Sequence, residues 1–362
     1  MKIENVGVVG ASGIVGGVLL QILMQHSNIK VTVATSRSLV GKYVHNIHPN
    51  LRSAKYQLKF EIFNLEKIKE KCDLVFLSIP HGTSQEITPK LLEVGLKVID
   101  LSADYRIKNK DEYEFYYQKH KDEENLKKSV YGLPELHREE IKNANLISVP
   151  GCHAASAIYA IAPLIKENLI ETENIIIDSK TGSSGSGNKV SESTHHPLRA
   201  NSIRPYKIVG HRHTCEIEQE LSYILNGMKY NEDNSLVKVG FSAHGVEIVR
   251  GILSTCHLFV KKDLQLEEKT VIKAYRTFYK NEPFIRFIKQ QIGIFRLPDP
   301  KLIFGTNFAD IGFEIDTHIN RIVALCALDN LVKGAAGNAV QCMNILGSFK
   351  EEESLTYMGL FP

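Results

Sequence analysis

One cysteine near the middle of the chain stands where a nucleophile would be useful. The stretch Ser148-Val149-Pro150-Gly151-Cys152-His153 ends a strand-like run in a Pro-Gly turn, and the apolar, alanine-rich segment 154–165 that follows predicts a buried helix. Cys152 would begin this helix, where unpaired N–H groups and the helix dipole favour an anion. A thiol there loses its proton more easily, and the thiolate is the nucleophile. The alternative is a structural cysteine, because cysteine is among the most buried residue types.

Histidines that could exchange a proton with Cys152 are concentrated further along the chain. The pair His195-His196 is followed by His211-Arg212-His213. Cys–His catalysis needs the two groups close in space, not in sequence, so one of these histidines is a candidate acid–base. A zinc site would be the competing use of histidine. No carboxylate or third ligand stands at a recognisable spacing, and no metal is predicted.

A glycine- and serine-rich segment, 180–189, separates the cysteine from these histidines. Its composition is that of a flexible linker. Backbone N–H groups in such a loop can also cradle a phosphate or an oxyanion, which would give Ser183 and Ser184 a part in binding. Both interpretations remain open at this point.

The first part of the chain carries a dinucleotide-binding pattern. The apolar run 2–9 leads into Gly10-Ala11-Ser12-Gly13-Ile14-Val15-Gly16 and an apolar helix, which is the context that a dinucleotide fingerprint requires. A helix N-terminus after such a turn faces the pyrophosphate. The second strand, 29–34, is followed by Ser36-Arg37-Ser38, where NAD-binding proteins usually have an acidic residue. A guanidinium and two hydroxyls favour a phosphate, so the predicted cofactor is NADP (NADPH).

Strands that alternate with helices predict an α/β fold, with a Rossmann-type doubly wound parallel sheet over residues 1–150. A second, catalytic domain is predicted over 151–329, and the segment 330–362 is expected to complete the first. Ligands of such sheets lie beyond the carboxyl ends of the strands, which would bring Ser102 and Arg106 near a cleft. A surface ion pair is the alternative for Arg106.

Composition limits the class of protein. At 362 residues and 43% hydrophobic content the chain is long enough for two cores, and a net charge of +3 is far from a nucleic-acid-binding signature. No secretory signal and no run of about 18 apolar residues is recognisable, so no membrane association is expected. The six cysteines form no CxxC pair, which fits a reducing, cytoplasmic location.

Together the motifs resemble the N-acetyl-γ-glutamyl-phosphate reductase family, relatives of aspartate-semialdehyde dehydrogenase. The segments that carry the resemblance run through the whole chain: 10–17, 78–82, 100–106, 131–137, 148–152, 210–220, 305–312 and 329–341. The resemblance implies NADPH-dependent reductive dephosphorylation of an acyl phosphate to a semialdehyde. It implies that Cys152 is the nucleophile and His213 the acid–base.

Further residue roles follow from the same resemblance. It implies an α+β catalytic and dimerisation domain of the semialdehyde-dehydrogenase type, and therefore a homo-oligomer. Asn330 is expected near the nicotinamide, and the NADP-binding residues are expected to be Gly10, Ser12, Gly13, Ile14, Val15, Ser36, Arg37 and Ser38. The substrate or its phosphate is expected near Ser102, Arg106, Ser183, Ser184 and His211.

Within the family, the segments 194–197, 203–206 and 210–213 look most like one branch. That branch reduces substrates attached to a small acidic carrier protein of the LysW type, in lysine or arginine biosynthesis. A basic entrance for the carrier could be formed by Arg199, Arg204, Lys207 and Arg212, unless these are scattered surface charges. The alternative functions are reduction of free N-acetyl-γ-glutamyl phosphate and a non-catalytic NADP-binding or carrier-docking protein. No residue predicts whether the substrate is glutamyl or 2-aminoadipyl.

Overall fold

The structure is a computed structural model that describes residues 2–53, 57–230, 236–290 and 292–361. The chain divides into two compact units. The first consists of Met1–Pro150 and Ala335–Tyr357, and the second of Gly151–Gly334 and Met358–Pro362. The six cysteines, all in the described part, form no disulfide. None of the described helices has the length and apolar character needed to cross a membrane.

The first unit contains a parallel sheet of seven strands in the order β3-β2-β1-β4-β5-β7-β6. The strands are β1 (Asn5–Val9), β2 (Lys30–Thr35), β3 (Phe60–Glu61), β4 (Leu74–Leu77), β5 (Lys97–Asp100), β6 (Val130–Tyr131) and β7 (Leu146–Ser148). The helices between them are α1 (Ile14–Leu23), α2 (Val44–Ile47), α3 (Leu65–Lys71), α4 (Ser84–Glu93), α5 (Lys110–Tyr116), α6 (Glu123–Lys128) and α7 (Pro134–Lys142), with a 3₁₀ turn at Pro49–Leu51.

The central strands of this sheet are apolar without alternation. All four residues of β4 are buried, as are the last four residues of β1, because helices cover both faces of a parallel sheet. Every strand pair in the sheet is parallel. The predicted Rossmann-type sheet is confirmed.

The second unit contains a mixed sheet in the order β12-β13-β14-β11-β8-β10-β9. Its strands are β8 (Ile175–Thr181), β9 (Arg204–Lys207), β10 (Val239–Gly245), β11 (Ile252–Phe259), β12 (Ile285–Phe287), β13 (Ala309–Asp316) and β14 (Arg321–Leu328). Its helices are α8 (Cys152–Lys166), α9 (His196–Arg199), α10 (His213–Leu225) and α11 (Glu268–Phe278). Shorter helical turns lie at Ser183–Ser186, Glu192–Thr194 and Pro300–Ile303, and a π-helix at Val332–Ala336.

Helix α8 is the centre of the second unit. Every residue from His153 to Ile165 is buried, because α8 packs on β11 and β14 on one side and against α10 and α11 on the others. A helix that is apolar all round needs such surroundings. In β8 the residues Ile175, Ile177, Ser179 and Thr181 are buried, and those between them are exposed or half-exposed.

The chain returns to the first unit after the π-helix. There α12 (Gly337–Leu346) packs on α1 and α7. Within this unit Nε2 of His26 lies 3.0 Å from Oδ1 of Asn344, and Arg138 forms a two-pronged ion pair with Glu351 at 3.0 and 3.1 Å. The first unit is therefore discontinuous in sequence.

Candidate active site

Cys152 is the first residue of α8, and Gly151 is its N-cap residue. Gly151 supplies no side chain to satisfy the N–H groups of the first turn, so the positive end of the helix is available to an anion. Cys152 is half-buried, whereas the other five cysteines are buried. Burial raises the pKa of the thiols of Cys72 and Cys326, the latter to about 12. Cys152 is the cysteine best placed to react as a thiolate.

His213 lies directly against the turn that precedes Cys152. It is the first residue of α10, and a Cβ atom on Gly151 would lie only 2.4 Å from Nε2 of His213. The buried imidazole thus occupies the space that a side chain at position 151 would fill. The structure brings together the two predicted catalytic residues, which are 61 positions apart in the sequence.

Glu216 fixes α10 to this turn. Its Oε1 accepts a hydrogen bond from the N–H of Gly151 at 2.7 Å, and the side chain is fully buried. Glu216 follows His213 by three residues, so both side chains lie on one face of α10. Sequence reasoning missed Glu216, although this spacing was the signal that could have found it.

A cluster of aromatic side chains lies beside His213. Nδ1 of His153 is 2.7 Å from Oγ of Ser179, and Nε2 of His153 is 3.1 Å from the hydroxyl of Tyr206. Nδ1 of His211 accepts the N–H of His213 at 3.2 Å, so a neutral His211 carries its proton on Nε2.

Burial keeps two of these histidines neutral. It lowers the pKa of His153 to about 3 and that of His211 to about 4, with neighbouring positive charge as a lesser cause. Desolvation of its hydroxyl, and secondly the nearby Cys152, raises the pKa of Tyr206 to about 12, so its phenol stays protonated near pH 7. Tyr206 is a second residue that sequence reasoning missed. Near pH 7 the imidazoles of His153 and His211 are therefore neutral.

The π-helix packs on Cys152. A Cβ atom on Gly334 would lie 2.7 Å from the Cβ of Cys152, so only glycine fits at this position. The N–H of Gly334 donates to the carbonyl of Asp329 at 2.9 Å, a bond that spans five residues and defines the π-turn. Segments of this kind are frequent at functional sites.

The first part of the glycine- and serine-rich segment is held by the loop between β10 and β11, and the expectation that Ser183 and Ser184 lie near the substrate stays a prediction. The N–H groups of Gly182, Ser183 and Ser184 donate to the carbonyls of Gly251, Ile248 and Val249 at 2.9–3.0 Å, and Ser183–Ser186 forms a 3₁₀ turn. A flexible linker is therefore wrong, because the backbone is paired. A cradle built from these three N–H groups is wrong for the same reason.

Asn330 lies behind this loop. Its Oδ1 accepts the N–H of Gly251 at 2.7 Å, and its Nδ2 donates to the hydroxyl of Ser184 at 3.0 Å. Both Asn330 and Ser184 are buried. These bonds fasten the end of β14 to the loop that follows β8.

In the first unit, six of the nine residues predicted to bind NADP line a cleft of about 760 Å³. Its walls include Gly10, Ser12, Gly13, Ser36, Arg37 and Ser38. Gly10 has φ +80°, and a Cβ atom there would lie 2.2 Å from the carbonyl oxygen of Ser78, so the turn requires glycine. Ile14 and Val15 form the first turn of α1. The hydroxyls of Ser12 and Ser36 are 2.9 Å apart. The turn at Gly10, the start of α1 and the guanidinium of Arg37 together fit a dinucleotide that carries a 2′-phosphate.

Ser102 and Arg106 are buried in the first unit. The hydroxyl of Ser102 donates to Oδ2 of Asp100 at 2.7 Å. Nε of Arg106 donates to the carbonyl of Val149 at 2.6 Å, and Nη2 to that of Leu101 at 2.9 Å. A surface ion pair is therefore wrong for Arg106. Its guanidinium ties the loop after β5 to the end of the strand that leads to Pro150.

In the part of the chain that the structure describes, no group of three or more histidine, cysteine, aspartate or glutamate residues is arranged to hold a metal ion.

Two family models match the chain. Residues 5–144 match "Semialdehyde dehydrogenase, NAD binding domain" and residues 152–330 match "Semialdehyde dehydrogenase, dimerisation domain". The chain belongs to the semialdehyde dehydrogenase family.

Curated relatives define the branch. Proteins from Sulfurisphaera tokodaii, 48% identical over 99% of both chains, and from Saccharolobus solfataricus, 46% identical over 99% of this chain and 98% of the relative, are both named "[LysW]-L-2-aminoadipate/[LysW]-L-glutamate phosphate reductase". The resemblance inferred from the sequence, down to the carrier-protein branch, is confirmed.

Solved structures share the fold at low identity. An aspartate semialdehyde dehydrogenase II complexed with ASA from Vibrio cholerae has a TM-score of 0.70 at 18% identity and covers 96% of this chain and 98% of its own. An aspartate semialdehyde dehydrogenase with NADP from Candida albicans has a TM-score of 0.69 at 17% identity, with 95% and 98% covered.

Proposed function

We propose that the chain catalyses the NADPH-dependent reductive dephosphorylation of an acyl phosphate to a semialdehyde, in lysine or arginine biosynthesis. The substrate is 2-aminoadipate or glutamate, phosphorylated on its side-chain carboxyl and attached to a LysW-type carrier protein. The names of the relatives support the substrate class. The observation that carries the chemistry is the position of His213 against Gly151, beside the half-buried Cys152 at the start of α8.

The reaction begins at the Cys152 thiolate, which attacks the acyl carbon. A C–S bond forms and the C–O bond to phosphate breaks. Inorganic phosphate departs, and a thioester remains on Cys152. NADPH, when bound, supplies the hydride that reduces the thioester carbonyl. His213 protonates the resulting alkoxide and takes the proton back as the C–S bond breaks, which releases the aldehyde and restores the thiolate. General acid–base help of this kind is worth ~10²–10⁴-fold, and the covalent step divides one difficult reduction into two easier ones.

The two units divide this work. The first unit binds NADP, and Ser36, Arg37 and Ser38 hold its 2′-phosphate at the end of β2. The second unit carries the acyl transfer and the acid–base step. The cleft at the N-terminus of α1 supports this assignment, because its lining has a guanidinium and two hydroxyls where NAD-binding proteins usually have an acidic residue.

An acidic carrier docks on the exposed edge strand β9. Of the four basic residues singled out in the sequence, Lys207 and Arg212 are exposed, whereas Arg199 and Arg204 donate to main-chain carbonyls. Around them Ile203, Ile208 and Val209 are exposed apolar side chains. A basic strand edge with apolar neighbours fits an acidic protein that must come close to Cys152.

The protein is also a homo-oligomer, held together by the sheet of the second unit. On the face of this sheet opposite to α8, the apolar residues Leu253, Val323 and Leu325 are half-exposed. A second copy would cover them. Light scattering on the wild type and on Leu325→Glu checks this proposal, and a variant with the wild-type mass would contradict it.

The reverse reaction tests the function directly. Formation of NADPH is followed by its absorbance, with phosphate, NADP and either the carrier-bound semialdehyde or the free N-acetylated one. Turnover of the carrier-bound aldehyde only, lost in Cys152→Ala, is the expected result. Turnover of the free N-acetylated aldehyde would assign the protein to the plain arginine pathway. Full activity in Cys152→Ala, or no turnover of either aldehyde, would refute the mechanism.

A further inference from the structure

Arg250 is a charged side chain of the second unit that the chemistry above does not use. It lies in the loop between β10 and β11, and its Nε is 3.1 Å from Oδ2 of Asp329. Asp329 is fully buried, and its carboxylate also accepts the N–H groups of Gly305 and Leu331 at 2.7 and 2.8 Å. The carboxylate therefore holds the guanidinium in one position.

The guanidinium has more donors than this contact uses. Nε and Nη2 of Arg250 are both buried, and none of the described residues accepts a hydrogen bond from either atom, so the contact with Asp329 is an ion pair only. A buried charged donor without an acceptor is unfavourable, and in native proteins such a group requires an explanation. An anionic ligand would provide the missing acceptor.

The loop that holds Arg250 lies at the same ends of the central strands β8, β11 and β14 as Cys152. Ile252, the next strand residue after Arg250, is paired with Thr181 at the end of β8 and with Leu328 at the end of β14. Cys152 reaches the same edge, since His153 contacts Ser179 in β8 and Gly334 packs on the Cβ of Cys152 six residues after Leu328.

The charge balance indicates which anion Arg250 takes. Because Asp329 already neutralises the guanidinium, the pair offers directed donors but little net positive charge. That suits a carboxylate, which keeps its single charge throughout the reaction, better than a departing phosphate that gains charge. The substrates of the proposed function, on which this inference rests, are amino-acid derivatives that retain a carboxylate at the α carbon.

We propose that Arg250, held by Asp329, binds the α-carboxylate of the substrate and so sets the distance from that carboxylate to the carbon that Cys152 attacks. Arg250 is then a substrate-binding residue whose loss weakens binding of the acyl substrate and leaves the phosphate site intact.

The reverse reaction separates the two anions, because aldehyde and phosphate are then distinct substrates. In Arg250→Met we expect KM for the semialdehyde to rise about 10- to 100-fold and KM for phosphate to change less than about twofold. Arg250→Lys keeps the positive charge but lacks the planar guanidinium, so its KM for the semialdehyde should lie between those of the wild type and Arg250→Met. The matched control is Arg286→Met, which breaks another Arg–Asp pair of the same sheet, at Asp310, and should leave both KM values unchanged. A rise confined to phosphate, or no change in either KM, would overturn the proposal.

A second measurement does not depend on turnover. Alkylation of Cys152 by iodoacetamide is timed by peptide mass spectrometry, with N-acetylglutamate or inorganic phosphate as protectant. N-acetylglutamate should protect the wild type and Arg286→Met, and at least tenfold more of it should be needed for Arg250→Met. Equal protection of wild type and Arg250→Met, or none in the wild type, would overturn the inference. Protection that depends on Arg250 in a protein without reductase activity would refute the proposed function alone.

Discussion

Cys152 and His213 meet because the residues between and around them are small. The imidazole lies where a side chain on Gly151 would be, and the Cβ of Cys152 lies against Gly334. The proposed catalytic pair therefore depends on two positions without side chains, because Gly151 leaves room for the imidazole of His213 and Gly334 leaves room for the Cβ of Cys152.

Replacement of Gly151 by alanine should separate the pair without unfolding the helix. The φ of Gly151 is −68°, which alanine adopts easily, but the new methyl group would lie 2.4 Å from the imidazole. We expect kcat to fall about 100-fold, comparable with the loss of a general acid, at a nearly unchanged melting temperature. Gly240→Ala is the control, since a methyl group there would meet only the tip of Ile176. Wild-type kcat in Gly151→Ala would contradict the proposed role of His213.

The neutral histidines predict a stability that falls in acid. An unfolded histidine binds its proton near pH 6.5, whereas the folded pKa values of His153 and His211 are about 3 and 4. Between these limits the unfolded state binds more protons, so the free energy of unfolding decreases as the pH falls below about 6.5. Each imidazole contributes up to about 1.4 kcal/mol per pH unit.

Urea unfolding between pH 7.5 and 5 measures this slope. Asp100, whose pKa burial raises to about 6, acts in the opposite direction between about pH 4 and 6, so the comparison must be made between variants. His211→Gln should flatten the loss of stability relative to the wild type by up to about 1.4 kcal/mol per pH unit. Parallel curves for the two proteins would show that His211 does not remain neutral in the fold.

At the scale of the elements, α10 is attached to the turn before Cys152 by one buried hydrogen bond. Glu216→Ala would leave the N–H of Gly151 buried without this acceptor, at a cost of about 1–3 kcal/mol. The expected result is a lower melting temperature together with a fall in kcat. Glu216→Gln keeps an acceptor oxygen and should restore most of both. Thermal unfolding and steady-state kinetics of the two variants check this, and equal behaviour of alanine and glutamine would contradict it.

Some of these features could be predicted because their signals are local in the sequence. Others could not, because they depend on contacts between distant residues. The start of α8 at Cys152 was predictable because a Pro-Gly turn and an alanine-rich run are adjacent in sequence. The contacts of Glu216 and Tyr206 were missed because they join residues far apart in the chain, although the three-residue spacing from His213 to Glu216 is a local signal. The pairing of Gly182, Ser183 and Ser184 was not predictable for the same reason: the carbonyls that accept their N–H groups belong to residues 248–251.

At the scale of the whole molecule, we expect the choice between NADPH and NADH to be decided in the first unit. Arg37→Ala removes the exposed guanidinium at the end of β2 and should raise KM for NADPH about 10- to 100-fold, the range of a lost charged hydrogen bond. KM for NADH, which has no 2′-phosphate, should stay within about twofold. Equal effects on the two cofactors would show that Arg37 does not bind the phosphate.

The proposed docking of the carrier on β9 can be tested by changing charges at that edge of the second sheet. Charge reversal at both Lys207 and Arg212 should raise KM for the carrier-bound semialdehyde at least tenfold, and more at low salt, because exposed charges are screened. The control, Lys273→Glu, changes an exposed lysine of α11, which packs at the opposite edge of the sheet through Tyr275 and Phe313. An unchanged KM in the double variant would place the carrier elsewhere.

The return of α12 to the first unit has a consequence for synthesis on the ribosome. Residues 1–150 are made before the second unit, whereas the helix that packs on α1 and α7, and the partners of His26 and Arg138, are made after Gly334. The second unit is nearly continuous and needs no segment from before Gly151. The first unit therefore waits for residues beyond Gly334, and a nascent chain that has not reached Ala335 can contain a folded second sheet before its N-terminal unit is finished.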